Sequence, residues 1–529
     1  MGYDPTDEKL RGKLPVVYVR GFAGGPSGIN TAAEDPFYGF NEGSVQVRVD
    51  GRDRPLFHQF ESPLLRLMID EDYQLLVHGD QLAHLRNAET GALPAASIWV
   101  HRFYDMYASS LTKDPNAFTL EDAVRGLQDF VDLVRDKTGA PRVFLVAHSM
   151  GGLIVRSLLQ KVLPESVGAL DGGTTRVDRA FTYATPHGGI EFAIGGGLLE
   201  KLRDLTGIVG ADVFGPTRMR SYLTPALDGA RPDKDFDGTV IPDGSFPRER
   251  LFCLVGTNPA DYGVALGVPA KAVGPRSDGL VQIDNAYVRD APRALVHRSH
   301  SGAFGIVNSE EGYQNLRRFL FGDLEVRAQL TDLRLPGTRD DDTDWQLESS
   351  LSIRGLPVVL HEQSTAHLCP IQIELPEDED APSTPVPLVW TFLSSTAVRP
   401  PAPGSGERSS TMRHVLRLRL SSLRRKHGLL SFLDHLEQTE DWADVLVVDI
   451  GVGADGRPGT WAVWNSQIKG AIRDWAPDPA THPPLEDEDG RPGHWRCTIP
   501  VPDEVRSLLG SNAAITIDVA TRGTLDLTT

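Results

Sequence analysis

The segment RVFLVAHSMGG, residues 142–152, restricts the fold more than any other part of this chain. Its apolar run Val143 to Ala147 predicts a buried strand, and the apolar spacing from Leu153 to Val162 predicts a helix soon after it. Ser149 stands between the two, with small residues on both sides. A sharp strand-turn-helix elbow requires such residues, because it strains the serine and brings neighbouring backbone close. We therefore predict that Ser149 is a nucleophile, and the alternative is an ordinary serine that caps the helix.

The first three-fifths of the chain alternate short apolar runs with longer helical patterns, which predicts a parallel sheet flanked by helices. Apolar residues at three-and-four spacing predict a helix from Leu120 to Lys137, and Thr119 and Asp122 stand at capping-box spacing at its start. The predicted strands are Val16 to Val19, Gln74 to Val77, Ser97 to His101, Val143 to Ala147, Ala180 to Ala184, Leu251 to Val255 and Ala294 to Val296.

The remainder of the chain has a different texture. Single cores stop growing at roughly 250 to 300 residues, so a chain of 529 residues should contain two domains. From Asp323 onward, short alternating segments are separated by proline-rich and acidic stretches, which predicts an antiparallel β-sandwich or a related β module. We expect a catalytic domain at 1–322 and a β-rich accessory domain at 323–529. The predicted strands are Leu324 to Leu330, Trp345 to Ile353, Val386 to Phe392, Val415 to Leu420, Val445 to Ile450 and Ala514 to Val519.

A serine nucleophile needs donors for the oxyanion that forms when it attacks a carbonyl. The first predicted strand runs into Arg20-Gly21-Phe22-Ala23-Gly24, a glycine-bearing turn suited to this task. We predict that the backbone amides of Phe22 and Met150 form the oxyanion hole. The alternative is a turn that merely ends the strand.

The serine also needs a base, and the base needs an acid that fixes its tautomer. Asp278, in Ser277 to Val281, and His300, in a small-residue loop after the last predicted strand, supply both in the order Ser, acid, His. His297 is the second choice of base, because it should still lie in or near the strand. Asp261 and then Asp284 are the next choices of acid.

The sequence resembles the bacterial lipases and related esterases of the α/β-hydrolase superfamily, including the deacylases that act on GPI-anchor inositol. The resemblance spans residues 14–322 and rests on VVYVRGFAG, VAHSMGG, YATPHGG, SDGLV and HSG. It implies an α/β-hydrolase domain with a mostly parallel sheet, Asp278 as the acid and His300 as the base. Ala147 stands where the usual Gly-x-Ser-x-Gly pattern has its first glycine.

A second departure lies at the oxyanion turn, where the resembling lipases commonly have His-Gly and this chain has Arg20-Gly21. The Arg20 side chain is free to pair with a nearby carboxylate or with an anionic substrate group, and we favour the first. His148 is expected to form hydrogen bonds beneath the elbow, and His187 to pack near the pocket; neither is expected to take part in catalysis directly.

An insertion at about 188–248 carries Gly195 to Gly197 and then apolar residues at helical spacing up to Ile208. In the resembling lipases such insertions are lids over an acyl site, and a fixed cap helix is the equal alternative here. In the second domain, Val415 to Leu420 alternates with an arginine face. We interpret this face as solvated and paired with the domain's own acids rather than as an anion-binding surface.

Charge and composition exclude several classes of function. A net charge of -19 opposes binding to nucleic acid. The three cysteines, Cys253, Cys369 and Cys497, encode no disulfide framework and favour a reducing compartment. We see neither a signal peptide nor a membrane span, so we expect a cytoplasmic location, with export by another route left open. No phosphate-binding loop or metal-ligand spacing occurs, so we expect neither a cofactor nor a metal.

Together these features predict a serine esterase or lipase, a phospholipase included, that acts on lipid-like or apolar acyl esters. An acyltransferase would use the same residues, and a non-catalytic binding or scaffold protein on this fold is a further alternative. The expected partners are an ester or lipid substrate and, through the lid, a transient lipid interface. The sequence does not predict protein partners.

Overall fold

The computed structural model describes residues 13–21, 26–49, 54–76, 80–107, 119–190, 211–227, 236–262, 273–337, 343–377, 384–394, 411–426, 435–452, 458–477 and 483–522. The chain divides into two compact units, and the second begins at Gly322.

Nine strands and eight α-helices are described in the first unit. The strands are β1 (Val16–Val19), β2 (Ser44–Val49), β3 (Pro55–Phe60), β4 (Gln74–Leu75), β5 (Ser97–His101), β6 (Val143–His148), β7 (Val177–Tyr183), β8 (Leu251–Gly256) and β9 (Arg293–Val296). The helices are α1 (Pro26–Glu34), α2 (Pro63–Glu71), α3 (Gln81–Asn87), α4 (Leu120–Thr138), α5 (Met150–Ser157), α6 (Leu163–Val167), α7 (Pro216–Leu223) and α8 (Glu310–Phe321).

Seven of these strands form one parallel sheet in the order β4-β5-β1-β6-β7-β8-β9. All seven predicted strands of the first domain are present in it, although Val77 lies outside the described residues. The helix predicted from Leu120 is α4. The Thr119 hydroxyl accepts a hydrogen bond from the Asp122 amide at its start, and Gly139 ends it with a φ of 70°. No helix of the described ranges is long and apolar enough to span a bilayer.

The order of the strands fixes where a ligand site belongs. The chain enters the middle of the sheet at β1, goes out to β4 and β5 on one side, and returns to continue from β6 on the other. The winding therefore reverses between β1 and β6, which lie side by side. In open α/β sheets, the crevice beyond the carboxyl ends of strands at such a switch point is where ligands bind.

The described residues of the second unit form two antiparallel sheets. Its strands are β10 (Leu324–Thr331), β11 (Thr343–Ile353), β12 (Val359–Gln363), β13 (Ile371–Ile373), β14 (Val386–Leu393), β15 (Thr411–Lys426), β16 (His435–Val452), β17 (Pro458–Trp464), β18 (His494–Pro500) and β19 (Ala514–Thr521), and a short helix α9 (Arg506–Leu509) precedes the last. One sheet has the order β14-β10-β19-β18, and the other β12-β11-β15-β16-β17 with β13 beside β11. Apolar side chains of both sheets share one core, as in a β-sandwich. The predicted fold class is confirmed in both parts.

The arginine face of β15 lies at the surface of this second unit. Arg417 is exposed, and Arg419 places its Nε 2.7 Å from a Glu440 carboxylate oxygen and one Nη 3.7 Å from Glu348. Both acids belong to the strands that flank β15. These ion pairs favour the interpretation that the face is solvated and paired with the domain's own acidic residues.

Candidate active site

Ser149 lies between β6 and α5, at the carboxyl edge of the sheet beside the switch point. Its φ of 54° and ψ of -129° are a strained conformation for a residue with a side chain. The strand β7 region holds this elbow, because the Ser149 amide donates to the Tyr183 carbonyl at 2.9 Å and Thr185 Oγ1 donates to the Ser149 carbonyl at 2.9 Å. The Ser149 side chain makes no capping hydrogen bond to α5, so the ordinary capping role is not what the structure has.

Three buried side chains form a continuous hydrogen-bonded line at this edge. His300 Nε2 lies 2.9 Å from Ser149 Oγ, and His300 Nδ1 lies 2.8 Å from Asp278 Oδ2. Because an aspartate accepts a hydrogen bond, Nδ1 is assigned the proton, and the lone pair of Nε2 then faces the serine hydroxyl. This geometry lets His300 take the proton of Ser149.

The Asp278 carboxylate is held from its other side by backbone. Its Oδ1 accepts hydrogen bonds from the amides of Leu280 at 2.9 Å and Val281 at 2.8 Å, which leaves Oδ2 for the histidine. Gly279 has a φ of 102° and allows the loop to curl around the carboxylate. The His300 amide also donates to the Asp278 carbonyl at 2.9 Å, so the loops of Asp278 and His300 are fixed to each other.

The predicted oxyanion turn follows β1 and touches the elbow. A Cβ on Gly21 would lie 2.5 Å from Ser149 Cβ, so only glycine allows this approach. Met150, the other predicted donor, is the first residue of α5, where backbone amides have no partner within the helix. Phe22 lies outside the described residues. The Tyr104 hydroxyl donates to the Gly21 carbonyl at 3.2 Å and supports the turn from below, a contact that sequence reasoning missed.

Three features decide the fold. They are the parallel sheet whose winding reverses between β1 and β6, the strained serine after β6, and the histidine after β9. The first unit has the α/β-hydrolase fold. Phospholipase PlaB from Legionella pneumophila is similar to this chain, with 13% identity and a TM-score of 0.33 over 87% of this chain and 98% of that one. The lin2722 gene product from Listeria innocua is also similar, with 11% identity and a TM-score of 0.26 over 58% of this chain and 94% of that one.

No protein-family model and no curated protein matches the sequence. The assignment of the α/β-hydrolase fold therefore rests on the strand order and on the elbow, not on these distant likenesses.

The second-choice residues lie elsewhere in the α/β-hydrolase unit. His297 is exposed, and its Nδ1 lies 3.4 Å from Thr257 Oγ1. Asp261 accepts a hydrogen bond from Asn258 Nδ2 at 2.6 Å, and Asp284 pairs with Arg276 at 3.3 Å. The structure brings none of these three side chains into the line of Ser149, His300 and Asp278.

His148 is the residue before Ser149, and its ring contacts the His300 backbone rather than the serine hydroxyl. Its Nε2 lies 2.9 Å from the His300 carbonyl oxygen. Burial, with His300 and Arg20 nearby, lowers the pKa of His148 to about 3, so the ring is neutral and Nε2 carries the donated proton. His148 therefore helps to hold the loop of His300, as a neighbour beneath the elbow and not as a proton acceptor.

His187 and Arg20 have structural contacts. Burial and then the charge of Arg156 lower the pKa of His187, whose Nε2 lies 3.1 Å from Thr182 Oγ1. Arg20 donates to the Tyr38 carbonyl at 2.7 Å, a backbone partner in place of the expected carboxylate.

The predicted lid begins and ends against helix α5. The buried guanidinium of Arg156 donates to the carbonyls of His187 and Val240, each at 3.2 Å, and to that of Gly238. Gly195 to Gly197 and the apolar run to Ile208 lie outside the described residues. The ends of the insertion are thus fixed to the helix that follows Ser149, and both the lid and the fixed cap stay as predictions.

Gly21→Ala should reduce kcat/KM for a soluble ester by about 10²-fold, because a displacement near 1 Å of reacting groups has that cost. The added methyl group would lie 2.5 Å from Ser149 Cβ and 2.7 Å from the His148 carbonyl oxygen, so the elbow must shift. Gly126→Ala is the matched control, since its methyl group would make an ordinary 3.6 Å contact with the His101 ring. Equal rates for the two variants would contradict the close approach of Gly21 to Ser149.

Proposed function

We propose that this chain is a serine carboxylic-ester hydrolase that acts through an acyl-enzyme on lipid-like or other apolar acyl esters. The observation that carries the proposal is the hydrogen-bonded line from Asp278 through His300 to Ser149, which ends at a strained elbow. A serine that only stabilises structure has no need of an aligned base and acid.

In the proposed reaction, Ser149 Oγ attacks the ester carbonyl carbon while its proton passes to His300 Nε2. Asp278 holds the resulting imidazolium, and the amides predicted at Phe22 and Met150 receive the oxyanion. As the tetrahedral intermediate collapses, His300 gives the proton to the departing alcohol. Water then attacks the acyl-enzyme with His300 as base, and the acid leaves as Ser149 recovers its proton.

The preference for apolar acyl groups rests on the environment of the site. Ser149, His300 and Asp278 are all buried, and Tyr262 packs its ring edge-on against His300 at 5.7 Å. The burial of these side chains and the lipase-like sequence segments favour an apolar acyl group over a charged substrate.

An acyltransferase would share every step up to the acyl-enzyme, and among the described residues of the site no contact favours an alcohol over water as the second acceptor. Adding an alcohol to the assay separates the two activities. An ester of that alcohol would replace the free acid as the main product of a transferase.

The proposal is tested with a series of p-nitrophenyl esters from acetate to palmitate, hydrolysed by the wild type and by Ser149→Ala. We expect turnover by the wild type, no detectable turnover by the variant, and a higher kcat/KM for medium or long acyl chains than for acetate. A folded wild-type protein that is inert with every ester would contradict the proposal.

A further inference from the structure

The strands β2 and β3 of the α/β-hydrolase unit form a hairpin, here called the ribbon, that is a two-stranded sheet separate from the central sheet. Its base is buried, with Phe60 only 2% exposed, whereas its arms carry Val45 at 56%, Val47 at 57% and Phe57 at 70% exposure. Val47 pairs directly with Phe57 across the strands, and alternate residues of a strand share a face, so the three side chains lie together on one face. Two strands alone are marginally stable in water, and exposing an apolar face to water makes such a hairpin less favourable still.

Contacts at the base place the ribbon at the rim of the candidate active site. The segment that leads into β2 accepts a hydrogen bond from Arg20 on the Tyr38 carbonyl, and one from Asn308 Nδ2 on the Gly39 carbonyl at 3.3 Å. Arg20 directly precedes the oxyanion turn, and Asn308 follows the loop of His300. Phe304, in that same loop, is a further exposed apolar side chain.

The charge of the ribbon differs from that of the rest of the chain. Residues 44–60 contain three arginines and two aspartates, a formal net charge of +1, whereas the whole chain has -19. The strands themselves, SVQVRV and PLFHQF, contain no acidic residue. The ribbon is therefore a part of this acidic protein that can approach phosphate-bearing headgroups without repulsion, while its apolar side chains enter the boundary with the acyl chains.

We propose that the face formed by Val45, Val47 and Phe57 docks on the surface of a zwitterionic lipid bilayer and so presents the rim of the active site to the lipid. This inference rests on the proposed function, because lipid-like esters are concentrated at such surfaces. A second copy of this chain is the rival occupant, and two bodies of charge -19 repel each other.

Helix α2 offers a matched control. Ile69 is 62% exposed, much as the ribbon residues are, but it lies in the last turn of α2. The Tyr73 hydroxyl, just beyond that turn, donates to the Leu14 carbonyl at 2.8 Å, ahead of β1. That end of α2 is at the amino edge of the sheet, opposite to the edge of Ser149, so Ile69→Ser removes exposed apolar surface away from the rim.

The test is cosedimentation with phosphatidylcholine vesicles, in a Ser149→Ala background so that binding is measured without turnover. We expect the parent to bind, Val47→Ser with Phe57→Ser to weaken partitioning by at least about tenfold, and Ile69→Ser to bind as the parent does. Circular dichroism checks that each variant is folded.

A parent that does not bind vesicles, or ribbon and Ile69 variants that lose binding equally, would overturn the proposal. A ribbon variant with unchanged vesicle binding but an altered oligomeric state by sedimentation equilibrium would assign the face to a second copy instead. Hydrolysis of the p-nitrophenyl ester series by the wild type reports on the proposed function separately. Turnover without vesicle binding would contradict only the proposed docking surface. Vesicle binding without turnover would contradict only the proposed hydrolase activity.

Discussion

His300→Ala is expected to lower kcat/KM for a p-nitrophenyl ester by about 10⁵- to 10⁶-fold, as much as Ser149→Ala does. We expect the two side chains to act as one unit, because His300 Nε2 lies 2.9 Å from Ser149 Oγ and no other imidazole reaches that hydroxyl among the described residues. Without the base, the serine keeps its proton and attacks slowly. The double variant should lose no more than either single variant, since effects within a triad are strongly non-additive.

His297→Ala is the control for this experiment. It is the other histidine of the same loop region, it is exposed, and its Nδ1 lies beside Thr257 rather than beside Ser149. We expect its kcat/KM to stay within a few-fold of wild type. Losses that add in the double variant, or a large loss in His297→Ala, would contradict the assignment of the base.

Asp278→Asn is expected to lower kcat by about 10⁴-fold without unfolding the protein. The asparagine carbonyl oxygen can still accept from the amides of Leu280 and Val281, which now bond to Oδ1. Its NH₂ group then faces His300 Nδ1 and donates to it, so the imidazole proton moves to Nε2. In that tautomer the ring presents a donor, and not a base, to Ser149.

The matched control is Asp261→Asn, because Asp261 was the second choice of acid and pairs with Asn258 instead. Steady-state kinetics and thermal unfolding of both variants separate catalysis from stability. A wild-type rate in Asp278→Asn, or an equal loss in Asp261→Asn, would show that the acid is elsewhere.

The central sheet could be predicted from sequence because its strands are buried on both faces. Continuous apolar runs such as Val143 to Ala147 and Leu251 to Val255 are stable only when buried, so they predict central strands. The helical spacing in α4 predicts its helix equally clearly. The ribbon was missed for the opposite reason. Val45, Val47, Leu56 and Phe57 are apolar but exposed, so a search for buried apolar runs does not find these strands.

The candidate site could be predicted in part from the sequence, because each of its three side chains follows a strand of one parallel sheet. Chain order and small-residue loops favoured Asp278 and His300, and the structure brings both to Ser149. The residues that support the site could not be predicted from sequence, because their contacts join residues far apart in the chain. Tyr104 contacts the Gly21 carbonyl, and His148 contacts the His300 carbonyl. Such contacts depend on how the loops meet at the edge of the sheet.

The two strands of the central hairpin in the second unit are longer than the sequence predicts. Val415 to Leu420 and Val445 to Ile450 were predicted as short strands, whereas β15 and β16 run over Thr411–Lys426 and His435–Val452. The extra length consists mostly of polar and charged residues, held by backbone pairing that composition does not reveal.

Mass spectrometry of the protein after reaction with a fluorophosphonate tests most directly whether Ser149 is an activated nucleophile. We predict one adduct per chain, on the peptide that contains Ser149, no labelling of Ser149→Ala, and strongly slowed labelling of His300→Ala. An unlabelled folded wild type, or an adduct on a different serine, would contradict the proposed nucleophile.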